Sequence, residues 1–330
     1  SPVMPRVRFD ALYLIGLGLL CVGAAVYVLT AHSGQNDLQA QVRAVKRLDQ
    51  IPFDGQQAFD YLSTICALGP RVSGTPGMQK QQALLTEHFE KLGGKVTRQE
   101  FQVRHPLDGS AVSLCNLIVS WHPERKRRYL LCAHYDTRPY PDRDPVNPRG
   151  EFVGANDGGS GVALLMELAK HIPTLNGSHG VDFVLFDGEE LVYNEQTDKY
   201  FLGSEYFARA HAADKNRPAY RHGLLFDMVA GADLRIYLEG NSMKFAPRQA
   251  GELWLRAEKL GVREFVRQVK HTVNDDHIPL NEIARIPTFD VIDFDYPHWH
   301  TRQDTPGNCS ALSLAKVGWV VLEWLKIAVR

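Results

Sequence analysis

The run VDFVLF at residues 181–186, followed at once by Asp187-Gly188-Glu189-Glu190, decides how this chain is read. A short apolar-rich run closed by a glycine-containing acidic turn has the length and composition of a strand buried on both faces. Carboxylates directly beyond such a strand stand where open α/β sheets place their ligands, outside the carboxyl ends of the strands. The same pattern recurs on either side. YLLCA at 129–133 leads into His134-Tyr135-Asp136, the run from Leu224 carries Asp227, and the stretch 289–294 leads to His298-Trp299-His300. Further strands are expected at 95–103 and 114–121. Apolar spacing, with Gly and Pro at several ends, predicts helices at 59–68, 78–92, 161–171, 248–260 and 310–329. Strands alternating with helices predict an α/β fold, a mixed, mostly parallel central sheet flanked by helices on both faces.

The whole chain bounds the possibilities. Its 330 residues carry 37 basic and 38 acidic side chains for a net charge of −1, and 44% are hydrophobic. This is the composition of a folded globular protein, and without a basic excess no nucleic-acid partner is expected. Five cysteines without a CxxC pair signal neither a thiolate zinc site nor a disulfide framework. Residues 11–31, ALYLIGLGLLCVGAAVYVLTA, lack any charge and suffice to cross a hydrocarbon core of roughly 30 Å. Arg6 and Arg8 precede them, so the expectation is a short cytoplasmic tail at 1–10, a transmembrane signal anchor at 11–31 and a polar juxtamembrane stalk at 32–50. The body at 51–330 would then be a catalytic domain outside the cytoplasm, on the periplasmic side of a bacterial membrane.

Each polar residue beyond a strand has an ordinary explanation when taken alone. Asp157, in the turn GANDGG at 154–159, could cap a helix, Glu189-Glu190 could oppose a helix dipole, and His134 could be a satisfied core histidine. Their joint placement argues otherwise, because buried carboxylates gather against their own repulsion only where a cation or protons compensate. Imidazole and carboxylate without thiolate are the donors of a catalytic zinc site.

Six ordered runs carry a family resemblance: AHYDT at 133–137, GANDGGSG at 154–161, FDGEE at 186–190, FDMVAG at 226–231, NDDHIP at 274–279 and WHTRQD at 299–304. The chain resembles the zinc aminopeptidase superfamily and, within it, the bacterial-type glutaminyl-peptide cyclotransferases (glutaminyl cyclases). The resemblance implies Zn2+ held by Asp157, Glu190 and His300, with Glu189, Asp227 and Asp275 as an acidic network that handles protons during catalysis. It implies Trp299 as a substrate-binding wall and peptide or protein N-termini as substrates. The alternative it leaves open is a zinc aminopeptidase, in which His134 and Asp227 would hold a second metal ion. The chain departs from the animal enzymes at Ala133 and Val162, where their disulfide would stand, and at 191–195, where they carry a pocket tryptophan. Tyr193 is the substituted wall residue expected here, with Tyr200 and Phe201 as neighbouring candidates. The oligomeric state is left open.

Overall fold

The computed structural model describes residues 47–330. A six-stranded sheet is built from β1 (Lys95–Arg104), β2 (Ala111–Trp121), β3 (Arg127–His134), β4 (Gly180–Phe186), β5 (Ala219–Asp227) and β8 (Thr288–Ile292), in the order β1-β2-β4-β3-β5-β8. The pairs β4/β3, β3/β5 and β5/β8 are parallel, and β1/β2 and β2/β4 are antiparallel. The mixed, mostly parallel sheet expected from the sequence is therefore present. A separate parallel pair, β6 (Ile236–Leu238) and β7 (Phe265–Val269), lies beyond it.

Side chains alternate across the sheet, so each apolar strand feeds two cores. Leu131, Ala133, Phe183, Leu185, Leu224 and Phe226 pack in the larger core with the helices Gly55–Cys66, Pro76–Lys91, Gly161–Leu168, Pro247–Leu260 and Ala311–Ala328. Leu130, Cys132, Val184, Phe186 and Leu225 face the other way, against Phe207 and Ala208 of the helix Leu202–Ala213 and against Leu280 of the short helix His277–Glu282. Helices thus cover both faces, which is why the central strands read as continuous apolar runs. Each fully buried large side chain contributes about 1.5–3 kcal/mol. A buried ion pair interrupts the pattern. Asp182 in β4 is buried and takes the Arg128 guanidinium in a forked pair, Nη2 to Oδ1 at 2.5 Å and Nε to Oδ2 at 2.8 Å, at the end of the sheet away from His134.

Element ends differ from expectation by a few residues. The helix from Gly161 ends at Leu168, β5 ends at Asp227 because Met228 turns left-handed at φ 48°, and β8 stops at Ile292. The helices Leu202–Ala213, Gly240–Phe245 and His277–Glu282 and the β6/β7 pair have no counterpart in the sequence reading. They are short or of mixed composition, and such segments carry little periodic signal. The body begins before residue 51, since Leu48–Gln50 forms a single 3-10 turn and Leu48 packs on the core.

The single-pass membrane location is withdrawn. Among the described residues no helix is long and apolar enough to cross a membrane. Ala311–Ala328, the longest described helix, belongs to the core; it buries Lys316 against Glu264 and carries Glu323 and Lys326. The expected tail at 1–10, the anchor at 11–31 and the stalk up to residue 46 lie outside the described residues.

Candidate active site

Strand register assembles the site. His134 ends β3 opposite Phe186, the last residue of β4, so Glu189 and Glu190 follow in the turn beside it. Cys132 pairs with Leu225, which sets His134 level with Asp227 at the end of β5. Asp157 comes from the turn before the helix Gly161–Leu168. Its backbone leaves helical geometry at φ −85°, ψ 110°, and Gly158 follows at φ 78°. A Cβ at Gly158 would collide with the Asp136 carbonyl oxygen, so the turn needs glycine for both conformation and space. His300 arrives in the loop after β8, itself left-handed at φ 56°. Strain of this kind persists where the surroundings over-determine it.

The side chains converge as two groups that share Asp157. His300 Nε2 is 3.2 Å from Glu190 Oε2 and 3.5 Å from Asp157 Oδ2. His134 Nε2 is 3.2 Å from both Asp157 Oδ1 and Asp227 Oδ1. In each trio the potential ligand atoms lie within 4.8 Å of one another. The Asp157 Oδ2 atom is buried without a hydrogen-bond partner. A buried carboxylate oxygen left unpaired beside a second carboxylate and an imidazole is what a zinc ion would satisfy, so the donor set fits Zn2+.

Neighbouring groups hold these side chains in place. Asp136 accepts the backbone N–H groups of Glu189 and Glu190, each at 3.1 Å. The Arg138 N–H donates to Glu190 Oε1 at 3.0 Å, and Asp142 Oδ1 lies 3.3 Å from His300 Nδ1. Asp304 accepts the Asn156 and Asp157 N–H groups. Arg138, Asp142 and Asp304 went unassigned in the sequence, although the first two follow AHYDT at 133–137 closely and the third closes WHTRQD at 299–304. What betrays them is tertiary contact, not composition.

Electrostatics divide the acids into two sets. Asp157 is held below its usual range because the His134 and His300 imidazoles outweigh the effect of burial. Burial and the Asp227 carboxylate push Asp275 up to about 7, and burial drives Glu189 well above its ordinary value, with Glu190 and Asp275 adding to it. Asp227 is raised by burial too, against the opposing pull of His134. Asp276 and Asp290, also fully buried, are raised by burial and then by Asp275. Crowding of this kind raises the affinity of a carboxyl for a proton. His134 goes up strongly despite burial, because Asp136, Asp157 and Asp227 surround it.

Asp157, Glu189, Glu190, Asp227, Asp275 and His300 floor a cavity of about 390 Å³. Tyr200, Phe201, Phe294 and Trp299 give it aromatic walls, with Arg143 and Glu195 also lining it. Tyr193 does not reach the cavity. Its ring packs with those of His105 and Tyr140, and its hydroxyl lies 3.3 Å from His105 Nε2. The tyrosine's place is set by the β1–β2 side of its loop, whereas the other end of the same loop carries Tyr200 and Phe201 inward.

Residues 116–325 match the family model described as peptidase family M28. A solved glutaminyl cyclase from Fimbriiglobus ruber is 45% identical at a TM-score of 0.81, over 86% of this chain and 98% of that one. The chain belongs to family M28, in its glutaminyl cyclase branch. Also similar is a structure described as a leucine aminopeptidase precursor from Bacteroides thetaiotaomicron, 33% identical at a TM-score of 0.78, covering 83% of this chain and 97% of that one. The glutaminyl-peptide cyclotransferase of Bothrops jararaca is 24% identical over 293 residues, 78% of each chain.

Proposed function

We propose that this enzyme is a zinc-dependent glutaminyl-peptide cyclotransferase, converting the N-terminal glutamine of peptides or proteins to pyroglutamate with release of ammonia. The observation that carries the proposal is the contact between two unlike halves of one cavity. Asp157, Glu190 and His300 are placed to act as a ligand trio, and the carboxyls Glu189, Asp227 and Asp275, raised in proton affinity, line the same space.

The reaction forms a bond from the α-amine nitrogen to the γ-carboxamide carbon and breaks the bond from that carbon to the leaving nitrogen. A proton must travel from the first nitrogen to the second. The chemistry a zinc ion supplies when bound by Asp157, Glu190 and His300 is Lewis-acid polarisation of a carbonyl oxygen. Glu189, next in sequence to Glu190 and raised in proton affinity, is suited to take the amine proton and return it to the departing ammonia. Asp227 and Asp275 share its burden of charge and position the amine. Trp299 and Phe294, with ring centroids 4.9 Å apart, hold the glutamine side chain folded for attack and keep water away from it.

A second reading, a zinc aminopeptidase, is favoured by the trio His134, Asp157 and Asp227, whose donors could hold another metal ion. There Glu189 would take a proton from an attacking water instead. Purified zinc-loaded protein offered a Gln-initiated and a Leu-initiated peptide separates the two. Loss of ammonia from the first with the second intact supports the cyclotransferase, whereas free leucine overturns it. Zinc content gives an independent count of one ion or two.

A further inference from the structure

Arg138 is 1% exposed, yet its hydrogen bonds run in one direction. Nη2 donates to Asp142 Oδ2 at 2.6 Å, to Glu195 Oε1 at 3.0 Å and to the Tyr200 hydroxyl at 3.3 Å. Its carbon sits 5.7 Å from the centroid of the Tyr200 ring. Toward Glu190 the side chain makes only a 3.6 Å approach through Nη1, and that atom has no hydrogen-bond partner. The bond that orients Glu190 comes from the Arg138 backbone N–H, which any residue other than proline would supply.

Two tasks at this position are therefore separable. The backbone serves the ligand Glu190, and the guanidinium serves the loop 191–201 and Asp142, which in turn faces His300. That loop ends on Phe201 in a left-handed conformation, φ 60°, with its N–H on the Glu189 carbonyl at 2.9 Å. A non-glycine residue held so needs outside support. Glu195 and Tyr200, both tied to Arg138, are the loop positions that line the cavity together with Phe201.

We propose that Arg138 is a positioning residue that specifies the substrate pocket, clamping Glu195 and Tyr200 so that Tyr200 and Phe201 form the wall opposite Trp299. The proposal rests on the cyclotransferase reading for its substrate, glutamine at a peptide N-terminus. All three acceptors meet the one Nη2 atom, which lies a bond farther from Cα than a lysine Nζ and is fixed in the guanidinium plane, so a lysine ammonium cannot reach the same set. A wall touches the substrate equally before and during reaction, so its loss raises KM and spares kcat.

The test compares Arg138→Lys, Tyr200→Phe, Glu195→Gln and the Arg138→Lys/Tyr200→Phe double variant in the full chain. Zinc affinity is read by chelator competition, and KM and kcat on a Gln-initiated peptide by pyroglutamate formation. Arg138→Lys is expected to raise KM about tenfold, with kcat and zinc affinity each within about threefold of wild type. Adding Tyr200→Phe to it should raise KM no further, since both changes cut one connection. An unaltered KM in Arg138→Lys, or fully additive effects in the double variant, overturns the clamp. If Arg138→Lys does not fold, Glu195→Gln and Tyr200→Phe decide: raised KM with zinc affinity retained supports it, and unchanged KM overturns it. Wild-type enzyme that leaves the Gln peptide intact overturns the cyclotransferase reading and the pocket assignment with it, whereas a cyclising wild type with a lysine variant of normal KM overturns the clamp alone.

Discussion

Asp304 holds Asp157 by its backbone. The Asp304 Oδ2 accepts the Asp157 N–H at 3.0 Å while Oδ1 accepts the Asn156 N–H at 2.8 Å, and the Ala155 N–H reaches the Asp304 carbonyl at 3.2 Å. One residue thus joins the turn that carries Asp157 to the loop that carries His300. Asp304→Ala should lower zinc affinity about 10–100-fold with the fold retained, as is usual when a group that orients a ligand is removed. Chelator competition measures this, and an unchanged affinity would show that the turn holds its shape unaided.

The proposed function gives the neighbours Glu189 and Glu190 different duties. Glu189→Gln keeps size and shape but removes the proton acceptor, so kcat should fall by about 10²–10⁴-fold with zinc content unchanged. Loss of zinc in this variant would mean that the two roles are exchanged.

Gly158 and Gly251 make opposite predictions for the same change. At Gly158, φ 78° and the nearby Asp136 carbonyl make alanine cost about 2 kcal/mol or more, and the displaced Asp157 should weaken zinc binding. Gly251 lies inside the helix Pro247–Leu260 with nothing near its missing Cβ, so alanine there should stabilise by about 0.5–1 kcal/mol. Thermal unfolding of both variants checks the pair; equal shifts would refute the account of the Gly158 turn.

His222 supplies a pH dependence outside the candidate active site. Burial, followed by the charges of Arg221 and Arg248, lowers its pKa from 6.5 to about 4, and Tyr129, Phe289 and Trp324 surround its ring. Between these values the unfolded chain binds a proton that the folded chain refuses. Stability is therefore complete above about pH 6.5 and falls as the pH drops toward 4, by up to about 3 kcal/mol. His222→Gln should unfold with a shallower pH dependence over that window. Parallel curves for the variant and the wild type would rule the histidine out as the source.

Trp299 stands over the histidine it precedes, its ring centroid 4.2 Å from that of His300 and the Arg143 guanidinium 4.1 Å above it. Trp299→Ala should raise KM for a Gln peptide by about tenfold or more, with zinc still bound. A variant with normal KM would remove this residue from the pocket wall.

Much of this was legible in the chain itself. The strands at 129–133 and 181–186 announce themselves because a strand covered on both faces must be apolar throughout, and the polar residues directly after them have nowhere to sit but the sheet's edge. That is how His134, Glu189, Glu190, Asp227 and His300 could be grouped beforehand, with Asp157 added from the turn at 154–159 and their roles from the family resemblance. Glycine at 158 was visible as a turn.

What the tertiary structure alone decided concerns neighbours distant in sequence. The sequence marks Asp227 as a strand-end acid, but only the register of β3 on β5 sets it 3.2 Å from His134. Tyr193 and Tyr200 are equally plausible aromatics in one loop, yet the first turns to His105 and the second to Arg138. Arg138 and Asp304 look like ordinary polar residues until their partners arrive from positions 195, 200, 156 and 157. Periodicity and turn chemistry act over a few residues, so they fix elements and their faces. Register, burial and the pairing of charges depend on strands and loops far apart in the chain, and those come into being only when the sheet closes.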